Sequence, residues 1–207
     1  MSELNVSRRN MLMRSAALFG AGPLLIGSLS AQTTTSDVTL LNYALSLENL
    51  EAAFYTQGLT QFSSADFANS TFIQNFGNVI GGDVYAYLSL IRDHEEQHVR
   101  TLQSVITSLG GTPVKPCTYN FGYKTADQFI SVAAILENTG VMAYDGALSQ
   151  ISSASLKTAA ATIATVEARH ASYLNLLNGV SPFPASFDTA ATSTAILAAA
   201  AKYITAC

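Results

Sequence analysis

Charge is scarce in this chain: 12% of its 207 residues are charged, and no basic cluster occurs outside the first 14. A net charge of −4 without a basic patch excludes nucleic acid and anionic membrane surfaces as partners. Cysteine is nearly absent too. Cys117 and Cys207 have no second Cys at short spacing, which excludes a thiolate metal site. Strand-type alternation is missing, so the periodicity supports helices alone. What is there is apolar and helix-forming: 49% hydrophobic residues, much of them Ala. The length suits one domain with a substantial core.

The first segment reads as an address. "SRRNMLMRSAALFGAGPLLIGSLSAQ" carries Arg8 and Arg9, an apolar run broken by Gly22 and Pro23, then small residues. It resembles a twin-arginine export signal, with Ser7, Arg8, Arg9 and Leu12 matching and Met11 and Met13 departing. The run falls short of the roughly 20 residues a membrane span needs. Residues 1–31 are therefore expected to be a signal and 32–207 the folded domain, exported to the periplasm or beyond. Cleavage at Ser28/Ser30 or Leu29/Ala31 stays open. Outside the cytoplasm a Cys117–Cys207 disulfide becomes an option, beside two free buried thiols.

Helical periodicity predicts four long helices with clear stops. The first runs from Ser36 to Gly58, followed by a polar, Gly-rich connection over 59–82 with a short helix near Ala65. The second spans Asp83–Leu109 before Gly110, Gly111 and Pro113. Thr125 with Gln128 forms a capping-box pattern opening the third, which lasts to Gln150. The fourth spans Ser155–Leu177, and an Ala-rich fifth is expected over Asp188–Ala206.

On these helices certain charges fall on the apolar face. Glu95 and His98 complete the stripe Val84, Leu88, Ile91, Leu102, Val105, Leu109. Glu167 and His170 fill the gap in Leu156, Ala160, Ile163, Leu174, Leu177. Glu137 lies within Ile130, Ala133, Tyr144, Leu148, Ile151, and Glu48 within Leu41, Ala44, Leu45, Ala52, Tyr55. The pattern repeats: "LENLEAAFY" matches "LENTGVMAY", and "EEQHVRTL" matches "EARHASYL". A Glu and a His at i and i+3 share one helix face. Four carboxylates converging in a core must be protonated or neutralised by cations. Two divalent ions balance four carboxylates, and oxygen ligands with imidazole suit iron or manganese.

The chain resembles the ferritin-like superfamily, which includes bacterioferritin, rubrerythrin and manganese catalase. Its motifs look most like exported ferritin-like domain proteins related to plant desiccation-related proteins. The resemblance covers residues 36–178 and implies an antiparallel four-helix bundle holding two iron or manganese ions. It implies Glu48 and Glu137 as terminal ligands, Glu95 and Glu167 as bridges, and His98 and His170 as one ligand to each metal. It further implies redox chemistry with oxygen or peroxide, ferroxidase- or catalase-like, in stress protection. The long first connection and the extra C-terminal helix depart from the family pattern, so cage assembly or another homo-oligomer stays open.

Weaker candidates have bland alternatives. Tyr55 and Tyr144 are either core residues or groups that act beside the metals in redox or support roles, and Tyr173 reads as core with its hydroxyl satisfied. Glu51, Arg92, Asp93 and Glu96 read as solvated faces or ion pairs, although Glu51 is one turn from Glu48. His94 falls off the stripe, with a supporting or surface role, while Arg169 and Asp145 are candidates for orienting the histidines. A metal-free buried polar network, or a stress protein in which metal only stabilises, is the competing reading of the whole pattern.

Overall fold

The computed structural model of the chain describes residues 35–76 and 83–207, so the expected export signal lies outside the described residues. Among the described residues four long helices dominate: α1 (Thr35–Gln61), α4 (Val84–Ser108), α5 (Ala126–Leu148) and α6 (Ala154–Leu177). Among the described residues between α1 and α4 are two short ones, α2 (Ser64–Ala68) and α3 (Thr71–Gln74). A final helix, α7 (Ser193–Ala201), is followed by β2 (Ile204–Ala206), which pairs antiparallel with β1 (Thr118–Tyr119). The expected all-α bundle with a long first connection and an added C-terminal helix is the architecture observed.

The pairing follows from the apolar stripes. α1 packs along α4 and α5 along α6, with α1 also meeting α5. Leu41 and Leu45 near the start of α1 join Leu102 and Ile106 near the end of α4, so the two run antiparallel. Ile130 meets the level of Leu174 and Leu177, and Tyr144 that of Ile163, so α5 and α6 do too. The deepest residue at the end of the α4 stripe is Ile106, not Val105 or Leu109, because a 3.6-residue period drifts from a strict seven-residue repeat by nearly one position over about six turns. Fully burying each such side chain contributes about 1.5–3 kcal/mol.

Helix ends differ from expectation for local reasons. α1 continues past Gly58 to Gln61. That glycine marks a close approach: a Cβ there would stand 1.9 Å from the Phe129 ring. Thr125 caps α5 by accepting from Gln128 N–H, but the Gln128 side chain accepts from Lys124 N–H, so the reciprocal half of the box is displaced by one residue. Ser153, two residues before the expected start, caps α6 by accepting from Leu156 N–H. Asp37 at the head of α1 is buried and accepts from the N–H groups of Ser152 and Ser153, tying α1 to the α5–α6 turn.

The fifth helix is shorter than its alanines suggested, because its last residues are needed elsewhere. Cys207 is bonded to Cys117, and the β1–β2 pair lies beside that bridge. Closing 90 residues of chain contributes about 4–5 kcal/mol in the chain-entropy model. Among the described residues no helix is long and apolar enough to cross a membrane.

Two apolar clusters fill the two ends of the bundle. One holds Phe54, Tyr55, Leu88, Phe129 and Leu174, with Phe54 stacked on Phe129 at 4.5 Å. The other holds Leu45, Leu102, Ile106 and Ile163. On α4 and α6 the Glu-x-x-His pairs occupy the interval between these plugs. The polar centre is thus sealed above and below by packed side chains.

Candidate metal centre

All six residues singled out on the four helices are buried: Glu48, Glu95, Glu137 and Glu167 fully, and His98 and His170 at 9% and 5% exposure. They form two overlapping groups. Glu48, Glu95, His98 and Glu167 offer ligand atoms within 4.8 Å of one another, and so do Glu95, Glu137, Glu167 and His170. Glu95 and Glu167 belong to both. Each group could hold a metal ion, and the two shared carboxylates stand where they could touch both.

The distances repeat the symmetry of the sequence. His98 Nδ1 lies 3.1 Å from Glu48 Oε2, 3.2 Å from Glu95 Oε2 and 3.3 Å from Glu167 Oε1. His170 Nδ1 lies 3.0 Å from Glu95 Oε1 and 3.1 Å from Glu137 Oε2. One ring N–H cannot serve so many oxygens. Glu95 Oε1 and both oxygens of Glu167 are left buried without a hydrogen bond. Orphaned buried carboxylate oxygens cost on the order of 1–3 kcal/mol each or more, and cations relieve that cost directly. The donor set therefore fits hard divalent metals.

Protonation records the same strain. Burial and the neighbouring Glu137 charge push Glu95 up to about 7. Burial and the Glu95 charge raise Glu167 well above the usual carboxylate range. Glu48 goes the other way: burial pushes it up, but the His98 hydrogen bond and charge outweigh that and lower it. Burial opposes charging of both imidazoles, yet Glu167, Glu48 and Glu95 raise His98, and Glu137 with Glu95 raises His170 to about 11. Without metal both rings are thus protonated, and their positive charge offsets part of the carboxylate charge.

Tyr55 and Tyr144 are part of this centre. Tyr55 Oη donates to Glu137 Oε1 at 2.5 Å, and Tyr144 Oη donates to Glu48. Each tyrosine thus fixes one unshared carboxylate and leaves the shared pair free. Burial, then the adjacent carboxylate charge, raises both phenols well above their usual range.

Several expectations need correction. Glu51 is not solvated; it is 4% exposed, and burial with the charges of Glu167 and Glu137 raises its pKa strongly. Its burial depends on Gly140 on another helix, whose missing Cβ leaves room for Glu167 Oε2 and Glu51 Oε1, 2.8 and 3.1 Å from where that Cβ would stand. The outer nitrogen of His170 meets His94 Nδ1 at 2.9 Å, edge to edge with the two rings nearly coplanar, not Arg169 or Asp145. Arg169 is exposed, and the charge facing Asp145 is that of Asp188. The Tyr173 hydroxyl is unpartnered rather than satisfied. Arg92–Asp93 and Arg100–Glu96 are outer-face ion pairs, as the pattern suggested. Gly140→Ala is expected to displace the Glu167 carboxylate and weaken metal binding about 10–100-fold with helicity unchanged, measured by metal titration and circular dichroism.

A family model described as "Ferritin-like domain" matches residues 36–180. Protein rds1 of Schizosaccharomyces pombe is 28% identical over 171 residues, 83% of this chain and 40% of that relative. The chain thus spans about two fifths of the length of the curated relative it matches.

Proposed function

We propose, from the premise that this chain belongs to the ferritin-like domain family, that it is a dinuclear iron or manganese protein that reacts with oxygen or peroxide. The observation that carries this reading is the pair of overlapping ligand groups sharing Glu95 and Glu167. Two divalent ions would neutralise four carboxylates, and a redox-active pair would supply the electrons for reduction of oxygen or peroxide.

The chain's own part is to hold and insulate. Glu48 and Glu137, oriented by Tyr144 and Tyr55, would each bind one ion, as would the Nδ1 atoms of His98 and His170. The apolar plugs at either end exclude bulk water, which strengthens every electrostatic contact inside. Buried Glu51, held protonated by burial and the neighbouring carboxylates in the metal-free centre, could ionise beside an ion pair that gains positive charge on oxidation. Export before function is supported by the twin-arginine pattern at Arg8 and Arg9 and by the Cys117–Cys207 bridge. Stress protection is the role this chemistry would serve.

A second reading rests on the full burial of the carboxylates: metal stabilises the bundle and no turnover occurs. Loading the purified chain with ferrous or manganous ion and following oxygen or peroxide consumption separates the two. Two ions per chain with multiple turnovers is the expected result. Two ions with a raised melting temperature and no turnover would support the second reading, and no bound metal would end both.

A further inference from the structure

Packed apolar clusters close both ends of the bundle, so an ion reaches the polar centre through a side. One side is thin. Between α1 and α5, Gly140 has no side chain, and the point where its Cβ would stand is 2.8 Å from Glu167 Oε2 and 3.1 Å from Glu51 Oε1. The shared carboxylate Glu167 and the buried carboxylate Glu51 thus flank one glycine-sized gap.

Glu51 lies on the approach to the centre without being part of it. It belongs to neither ligand group, is 4% exposed, and has no hydrogen bond among the described residues. Glu51 and Gly140 line a cavity of about 30 Å³, room for one or two waters. The other walls include Thr139 on α5, and Ala199, Lys202 and Tyr203 from α7 and the residues that follow it. Ala199 and Lys202 are exposed, so the cavity runs from the protein surface to a carboxylate that touches nothing polar. A buried carboxylate without a partner costs free energy unless water or a cation supplies one. It gives up its proton to an arriving cation, as every carboxylate ligand must.

We propose that this cavity is the port through which divalent metal enters, and that Glu51 is a transit ligand that hands the ion across Gly140 to Glu167. The proposal rests on the metal-centre reading above. Lys202 marks the mouth: its ammonium, 4.8 Å over the Tyr203 ring, opposes the entry of cations. A group met only in passage lowers the barrier equally in both directions. It therefore changes the rates of loading and release together and leaves the equilibrium affinity alone. A resident ligand, or a residue that only supports the fold, alters the affinity instead.

The probe is cobaltous ion added to the full metal-free chain. Loading is followed by visible absorption in stopped flow, release by adding a chelator, and stoichiometry by elemental analysis. Glu51→Gln is expected to slow loading and release about tenfold each, with two ions still bound at unchanged affinity. Ala199→Trp, which fills the mouth from its exposed wall and leaves Glu51 in place, is expected to do the same. Lys202→Gln is expected to speed loading about two- to threefold at low salt, an effect that fades at high salt. Unchanged loading in any of the three, or an affinity loss in Glu51→Gln that matches its loss of rate, would overturn the proposal. A wild-type chain that binds no cobalt overturns the metal reading and the port together. Normal wild-type loading that ignores all three substitutions overturns the port alone.

Discussion

Glu95→Ala is expected to empty the site of both ions, whereas Glu48→Ala leaves one. Glu95 offers Oε2 to the group around His98 and Oε1 to the group around His170, so its loss removes a ligand from each. Removing one partner from a buried charged network costs about 3–5 kcal/mol, which is two to four decades in affinity if all of it falls on metal binding. Glu167→Ala belongs to the same class, since Glu167 is the other shared carboxylate. Glu48 serves the His98 group alone, so its removal spares the His170 group. Metal per chain by elemental analysis checks this: near zero for Glu95→Ala and near one for Glu48→Ala. Equal losses in the two variants would mean the ions do not share ligands.

The second large effect is on the metal-free protein, which should lose stability as pH rises. Glu95 ionises near 4.5 when unfolded and near 7 when folded, so across that interval the folded state holds the extra proton. Stability rises with pH only where the unfolded state binds more protons; here it falls. The shift corresponds to roughly 3 kcal/mol, and a domain of this size moves its melting temperature about 2–4 °C per kcal/mol. A drop of about 6–12 °C between pH 4.5 and 7 is expected from Glu95 alone. Glu51 and Glu167 shift in the same direction. His170, raised to about 11, adds stability that is full below 6.5 and lost as pH climbs toward 11. The metal-loaded protein should behave oppositely, because cations replace the protons and deprotonated ligands bind them best. Paired thermal scans at pH 5 and pH 8, with and without chelator, read the sign.

The bundle and its six central residues were legible because charges that break a 3.6-residue stripe are conspicuous. Glu95, His98, Glu167 and His170 sit on apolar faces, where a solvated residue has no reason to be. Glu51 was not legible for the same reason inverted. It lies beside Glu48 and next to leucine-rich helix faces, and only the gap left by Gly140 on another helix makes it internal. The end of α1 at Gln61 and the early end of α7 were also hidden. The first depends on the Phe129 ring crossing Gly58, and the second on Cys207 reaching back to Cys117. Contacts between distant segments leave no periodic trace.

Anomalous diffraction from crystals of the iron- or manganese-loaded chain tests the centre most directly. Two peaks are predicted, one contacting Glu48 and His98, the other Glu137 and His170, with Glu95 and Glu167 touching both. A single peak, or density that neither shared carboxylate reaches, would contradict the account.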